Sequence, residues 1–277
     1  VGSGLSGRYS NQRPVTSGTT GPWLPATIPQ VAAGYYWDVA DASGLGTAGF
    51  KVPEGNLHTT FDLVQATVAN QPTALTESGN AQFRMRKQSD PNPSRAVSGA
   101  VQAGWTGATY VGGWFRQPDA NGDTAAAGTY FSHNNTTGAQ GRIICVSGTT
   151  GGDNIGLTCN ATGVGGATSR NAVASTLVGA GWHWLEWIFD PLLVLGGSAT
   201  ADRGKIFSDF VLRTRVVTES VGAMPTSIFN GNAFIAIACG TATASDADTT
   251  DWAVCYYCNG IPSLANREAL MRHHAPA

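Results

Sequence analysis

An antiparallel all-β fold, either a two-sheet sandwich or a closed barrel, is what this sequence predicts. Three observations lead there. Short runs rich in β-branched and aromatic residues recur from residue 34 onward. Gly, Asn, Asp and Pro punctuate them. Long amphipathic helical patterns are absent. The chain has 277 residues, enough for one large β domain or two small ones.

The runs, in order, are Gln82–Arg86, Tyr110–Arg116, Gly128–Ser132, Arg142–Ser147, Asn154–Cys159, Trp182–Phe189, Lys205–Leu212, Phe234–Cys239 and Trp252–Cys258, with turn signals at Asn121-Gly122 and Asn259-Gly260. The run Trp182-His-Trp-Leu-Glu-Trp-Ile-Phe-Asp190 is the densest in apolar residues. On a strand, His183, Leu185, Trp187 and Phe189 share one face, and Trp182, Trp184, Glu186 and Ile188 the other. One face must be core; the second is either covered too or forms an aromatic groove. One helix is expected near the C-terminus, capped by Ser263 and continued by Leu264, Ala265, Glu268, Ala269, Leu270 and Met271.

Residues 1–33 differ in composition. They are rich in Gly, Ser, Thr and Pro, with Pro14, Pro22, Pro25 and Pro29, and read as an extended N-terminal arm without a helix and with few core residues. Such an arm gains order by lying on its own domain or on a neighbouring subunit; we expect the neighbour, with Arg8, Tyr9 and Trp23 as the assembly contacts. Residues 34–277 form the globular domain. The first residues, Val1-Gly2-Ser3-Gly4, lack the basic-then-apolar order of a signal peptide, so Val1 is read as a native start or as the site of an excised leader.

Charged residues are 12% of the chain, against about 25% in typical globular proteins. A surface of neutral polar groups suits packing against other chains, because burying such groups costs less than burying charges. Net charge is −2 and no basic stripe occurs, which argues against nucleic-acid binding. No apolar run approaches a helical membrane span; Pro191-Leu-Leu-Val-Leu195 is too short. Five cysteines, an odd number irregularly spaced, argue against a full disulfide framework. Cys255-Tyr-Tyr-Cys258 resembles half a zinc site, but it lies on an expected strand, where residues three apart point to opposite faces, and it lacks a second ligand pair. These cysteines read as small buried hydrophobes.

The chemistry of the common hydrolases is missing. No Glu-x-Asp-x-x-Glu triplet occurs. Glu186 and Asp190 share a strand face but stand roughly 13 Å apart at the rise of an extended chain, against about 5–5.5 Å for a retaining glycosidase. Glu186 therefore reads as a paired or rim carboxylate. Gly-x-Ser-x-Gly and His-Glu-x-x-His are absent, and the final His273-His274 read as solvated. Two Gly-x-Gly-x-x-Gly matches, Gly2-Ser-Gly-Leu-Ser-Gly7 and Gly44-Leu-Gly-Thr-Ala-Gly49, open no helix after a βαβ strand and are loop glycines. The Asn-x-Thr matches at Asn134, Asn135 and Asn160 matter only in a secretory pathway. The chain is read as non-enzymatic.

Four segments resemble one family. Trp37-Asp-Val-Ala-Asp-Ala-Ser-Gly44, with Thr67-Val-Ala-Asn-Gln-Pro-Thr73 and Ala81-Gln-Phe-Arg84, is similar to the opening of the concanavalin A-like lectin/glucanase superfamily in its laminin-G-like form, as found in phage tail and virion proteins. Val111-Gly-Gly-Trp-Phe-Arg116, Trp182-His183 through Asp190, and Trp252-Ala-Val-Cys-Tyr-Tyr257 through Leu264-Ala-Asn-Arg-Glu-Ala-Leu270 resemble later strands and the closing helix of that family. The chain departs from it at Phe210, where the family usually has Gly, and in the longer stretch Pro191–Gly204.

The resemblance implies a two-sheet jelly roll of about a dozen strands with one concave face. It implies a virion structural role, as capsid decoration or as tail or fibre appendage on the virion surface, with adhesion to surface glycans. The alternative is a carbohydrate-binding module of an extracellular protein; a divergent glycoside hydrolase ranks last. Partners would be other virion subunits, reached through the arm, and copies of the chain in a homo-oligomer. Sugar platforms would be Trp105 and Trp184, since an indole face stacks on a sugar ring. Laminin-G-like domains often bind calcium, for which Asp119, Asp123 and Asp153 are the loop carboxylates to consider.

Overall fold

A computed structural model describes residues 25–77, 79–86, 91, 94–100, 103–116, 129–134, 142–147, 154–160, 168–174, 181–213, 215–220, 224–229, 231–239, 249–273 and 275–276. Among them the chain forms sixteen strands and two α-helices. The strands are β1 Tyr35–Asp38, β2 Phe50–Val52, β3 Leu63–Gln65, β4 Thr73–Glu77, β5 Asn80–Met85, β6 Thr109–Arg116, β7 Thr129–Asn134, β8 Ile143–Ser147, β9 Asn154–Asn160, β10 Thr168–Ala174, β11 His183–Phe189, β12 Gly204–Ser208, β13 Val211–Leu212, β14 Arg215–Ser220, β15 Phe234–Ile237 and β16 Thr250–Asn259. The helices are α1 Pro29–Ala32 and α2 Leu264–His273.

Every strand pairing is antiparallel. One sheet has the order β13-β12-β11-β6-β16-β5-β4, with β1 added on β16; the other runs β14-β10-β9-β8-β7-β15. Single bridges from Val64 to Val97 and from Val97 to Ala236 tie the β2–β3 pair to the second sheet. The two sheets stack as a jelly-roll sandwich around one core. Val111, Phe115, Leu185, Trp187, Phe189 and Tyr257 of the first sheet meet Phe131, Ile143, Cys145, Leu157, Cys159 and Ile235 of the second.

A second apolar layer covers the other face of the first sheet. Tyr110, Trp184, Ile188, Val254, Tyr256 and Cys258 point outward from the sandwich and are sealed by Leu270 of α2 together with Ile28 and Val31. The alternation along β11 is thus resolved. Leu185, Trp187 and Phe189 enter the inner core, and Trp184 and Ile188 the outer one. The same alternation puts Cys255 in the inner core and Cys258 in the outer, which rules out their sharing a metal.

Ser263 caps α2 as expected, its hydroxyl accepting from the Asn266 N–H at 3.3 Å. The N-terminal expectation needs correcting in part. A helix does form within residues 1–33, at Pro29–Ala32, because proline at the first helical position suits both its fixed φ and its missing N–H. Ile28 and Val31 are buried against the domain expected to begin at residue 34. Arg8, Tyr9 and Trp23 lie outside the described residues.

The expected run Lys205–Leu212 is two strands joined by a hairpin turn in which Asp209 and Phe210 both take positive φ, 50° and 63°. This is the position where the resembled family has Gly, and the strain is offset by contacts. Phe210 packs on the outer layer, and the Asp209 carboxylate accepts from the Trp184 N–H at 3.0 Å.

Candidate functional site

Where the outer layer ends, the outer face of the first sheet becomes polar. Arg84 on β5, Asp251 on β16 and Arg116 on β6 are direct cross-strand neighbours, so their side chains stand side by side on one face. Asp251 is fully buried. It accepts two hydrogen bonds from Arg84, at 2.8 and 2.9 Å, and one from Arg116 Nε at 2.6 Å. A fork of two guanidiniums compensates the desolvated carboxylate.

Glu77 completes the cluster from an unexpected direction. In sheet order β16 and β5 separate β4 from β6, yet Glu77 at the end of β4 accepts from both Arg116 Nη atoms, at 2.5 and 3.1 Å. The tip of the β4–β5 hairpin therefore curls over the outer face. Gly79, at φ 84°, makes the tight turn that this requires. Glu77 also accepts from the Trp182 indole N–H at 3.1 Å, and the Arg116 guanidinium lies 4.7 Å from the centre of the Trp182 ring. Trp182 is half-buried, and among the described residues no second ring packs on it.

The electrostatics of this cluster lower its exposed carboxyl. A general acid needs a carboxyl whose pKa is pushed up. The hydrogen bonds from Arg116 instead hold Glu77 below the ordinary carboxylate range. Carboxyls that are pushed up lie elsewhere and are enclosed. Burial raises Glu186 against the pull of Arg267 and Tyr110, and burial raises Glu54 against backbone N–H groups that it accepts from. Both are at most 1% exposed. Glu186 is a paired carboxylate, as expected. Asp190 is enclosed too, accepting from Lys205 at 3.1 Å and from the N–H groups of Val194 and Leu195.

A Ser, a His and an Asp meet at the β12–β13 turn, but in the wrong order for a nucleophile. The Ser208 hydroxyl donates to Asp209 at 3.1 Å, and His183 Nδ1 also contacts Asp209, at 3.0 Å. The serine is bonded to the acid and not to the imidazole, so no base is placed to take its proton.

The expected sugar platforms fare differently. Trp184 is a correction: it is fully buried under α2, edge-on to Trp114, and offers no face to a ligand. Alternation told which face it occupied but not that a helix would cover that face. Trp105 is half-buried at an end of the inner core. It stacks on Tyr35 at 5.6 Å, lies 5.3 Å from Tyr257, has the Arg142 guanidinium 4.9 Å from its ring, and donates its N–H to Thr109. Trp182, two positions before the expected Trp184, stands among partly exposed polar groups. Its place just before β11, beside Gly181, was the available signal.

Asp119, Asp123 and Asp153 lie outside the described residues. Among the described residues no group of three or more His, Cys, Asp or Glu side chains is placed to hold a metal. No helix among them is long and apolar enough to cross a membrane.

No protein-family model and no curated protein matches this sequence. Solved structures do match in fold. The receptor-binding domain of botulinum neurotoxin D superposes with a TM-score of 0.51 at 8% identity, over 88% of this chain and 53% of that one. The binding domain of botulinum neurotoxin serotype G gives 0.49 at 12% identity, over 85% and 50%. A native heptameric SAP-like pentraxin from Limulus polyphemus gives 0.41 at 9% identity, over 62% and 75%. The chain spans about half the length of the neurotoxin domains that it matches. At such identities the likeness is one of fold.

Proposed function

We propose that this chain is a non-enzymatic adhesion module that serves as a structural part of a virion, as capsid decoration or as a tail or fibre appendage, and that binds surface glycans through the Trp182 cluster. The observation that carries the adhesive part is the setting of Trp182. Its indole is half-buried, is held on one side by Arg116, and donates its N–H to the partly exposed Glu77. An apolar ring face with charged and polar groups at its rim is the arrangement that stacks on a sugar and orients its hydroxyls. A neurotoxin receptor-binding domain shares this fold, which is compatible with adhesion, although fold alone does not fix function.

The virion placement rests on the four sequence segments that resemble phage-borne laminin-G-like domains and on the low charge of the chain. In this reading the N-terminal segment docks on neighbouring subunits, the chain forms homo-oligomers, and the module stands on the virion surface. Calcium, if used, would be held by Asp119, Asp123 and Asp153.

Two measurements test the proposal. Mass spectrometry of purified particles should find the chain; its absence from every particle, with glycan binding intact, would leave a free-standing carbohydrate-binding module. A glycan array should show binding that Trp182→Ala abolishes. Polysaccharide cleavage lost on Glu186→Gln would overturn the non-enzymatic reading.

A further inference from the structure

The Trp182 cluster has a closed neighbour. Asn80, at the tip of the β4–β5 hairpin, donates from its side-chain amide to the Ala275 carbonyl at 2.7 Å. The C-terminal tail, once past α2, is thereby fastened to the hairpin, and Pro276 is buried there. Gln82 lies two residues along β5 from Asn80 and two from Arg84, so the three side chains share one face of the strand. Gln82 is fully buried, and both its amide nitrogen and its amide oxygen lack a hydrogen-bond partner.

Orphaning both ends of a buried amide is costly and calls for an explanation. Arg84 and Arg116 are spent on Asp251, and Glu77 on Arg116 and Trp182. Gln82 alone in this row presents an unused donor and an unused acceptor side by side. That pair matches the vicinal hydroxyls of a pyranose, one of which accepts while the other donates.

We infer that Gln82 is a hydroxyl-recognition subsite continuous with the Trp182 cluster, and that the C-terminal tail at Ala275 and Pro276 is a strap closing it. The inference rests on the glycan-binding reading of Trp182 and deepens it. The ligand is an uncharged oligosaccharide of hexopyranoses. The two guanidiniums of the row face two carboxylates, so the row carries no surplus positive charge to favour an acidic sugar. One sugar stacks on Trp182; a further sugar of the same oligosaccharide displaces the tail and hydrogen-bonds to Gln82. The strap lowers apparent affinity by the fraction of molecules it keeps closed.

The test compares four forms on neutral glucan, galactan and mannan oligosaccharides by calorimetry: the full chain, a chain ending at His273, Gln82→Leu, and Trp182→Ala. Truncation should raise affinity about fivefold. Should truncation impair folding, Asn80→Ala cuts the tail's hydrogen bond within the full chain and should raise affinity in the same direction. Gln82→Leu should weaken binding roughly tenfold, the loss of one or two amide–hydroxyl bonds. The same change should raise the melting temperature by roughly 2–4 °C, because it removes two orphaned polar atoms. Affinity, and not the thermal shift, reads the recognition role: unchanged binding in Gln82→Leu would overturn the subsite. Trp182→Ala should abolish binding in every form. If Trp182→Ala abolishes binding but truncation and Asn80→Ala change nothing, the strap is overturned and the Trp182 reading stands. If binding survives Trp182→Ala, or no form binds, the reading and the inference fall together.

Discussion

Arg267 of α2 donates to Glu186, in the middle of β11, across 2.9 Å, and both side chains are buried. Tyr110 donates to the other carboxylate oxygen at 2.8 Å. This pair fastens the C-terminal helix to the outer face of the sheet and accounts for the one carboxylate that could have suggested catalysis. Breaking one partner should be costly. Arg267→Ala should destabilise by about 3–5 kcal/mol, and Glu186→Leu with Arg267→Met by much less, because no charge is then left buried alone. Urea denaturation of Arg267→Ala, of Glu186→Leu and Arg267→Met singly, and of the double variant measures the coupling.

Gly112 lies directly across from Glu186, and the Tyr110 ring folds back over it to reach that carboxylate. A methyl at this position would meet the Tyr110 ring and hydroxyl. Gly112→Ala should therefore cost about 1–3 kcal/mol through overpacking. Gly107→Ala, where an added methyl meets nothing within 4 Å, should stay within about 0.5 kcal/mol. Thermal melts of the two variants compare them directly.

All five cysteines are free and buried, and burial pushes the thiols of Cys145, Cys159, Cys255 and Cys258 well above their ordinary range. The thiolate is the reactive form. Iodoacetamide at pH 8 should leave the native chain unmodified and add five groups in denaturant. Intact-mass measurement reads the count, and native modification would mean that the core opens readily.

Two carboxyls carry an acid-sensitive contribution to stability. Glu77 is lowered by its hydrogen bonds from Arg116 and Trp182. Asp209 is pushed up by burial but brought below its ordinary value by His183 and the Trp184 N–H. A carboxyl lowered in the folded state stabilises above its unfolded pKa, about 4, and that contribution fades as pH falls through the folded value. The stability gap between the wild type and Glu77→Gln should thus be full at pH 6 and shrink below pH 4. The gap is small, since Glu77 is about one-third exposed. A gap that widens on acidification would contradict the assignment.

Local rules carried the reading furthest where one strand decided the matter. The two faces of β11, the opposed Cys255 and Cys258 and the Ser263 cap all follow from alternation or from one capping hydroxyl. Strands β2 and β3 were missed because three residues are too few to show a period. β4 was missed because its pattern is polar and half-exposed. The Trp182 cluster was illegible for another reason. Arg84 and Asp251 are 167 residues apart, and Trp182 and Glu77 are 105 apart, joined by a hairpin curl that no local pattern records. Trp184 shows the same limit from the other side, since its burial depends on Leu270 and Val31, each far away in the chain.

The most direct measurement follows the indole N–H resonances of the eight tryptophans while a neutral oligosaccharide is titrated into the protein. Saturable movement of the Trp182 signal, identified by its loss in Trp182→Ala, with the buried Trp184 and Trp187 signals unmoved, is the predicted result. Saturable binding that leaves Trp182 still would contradict the account.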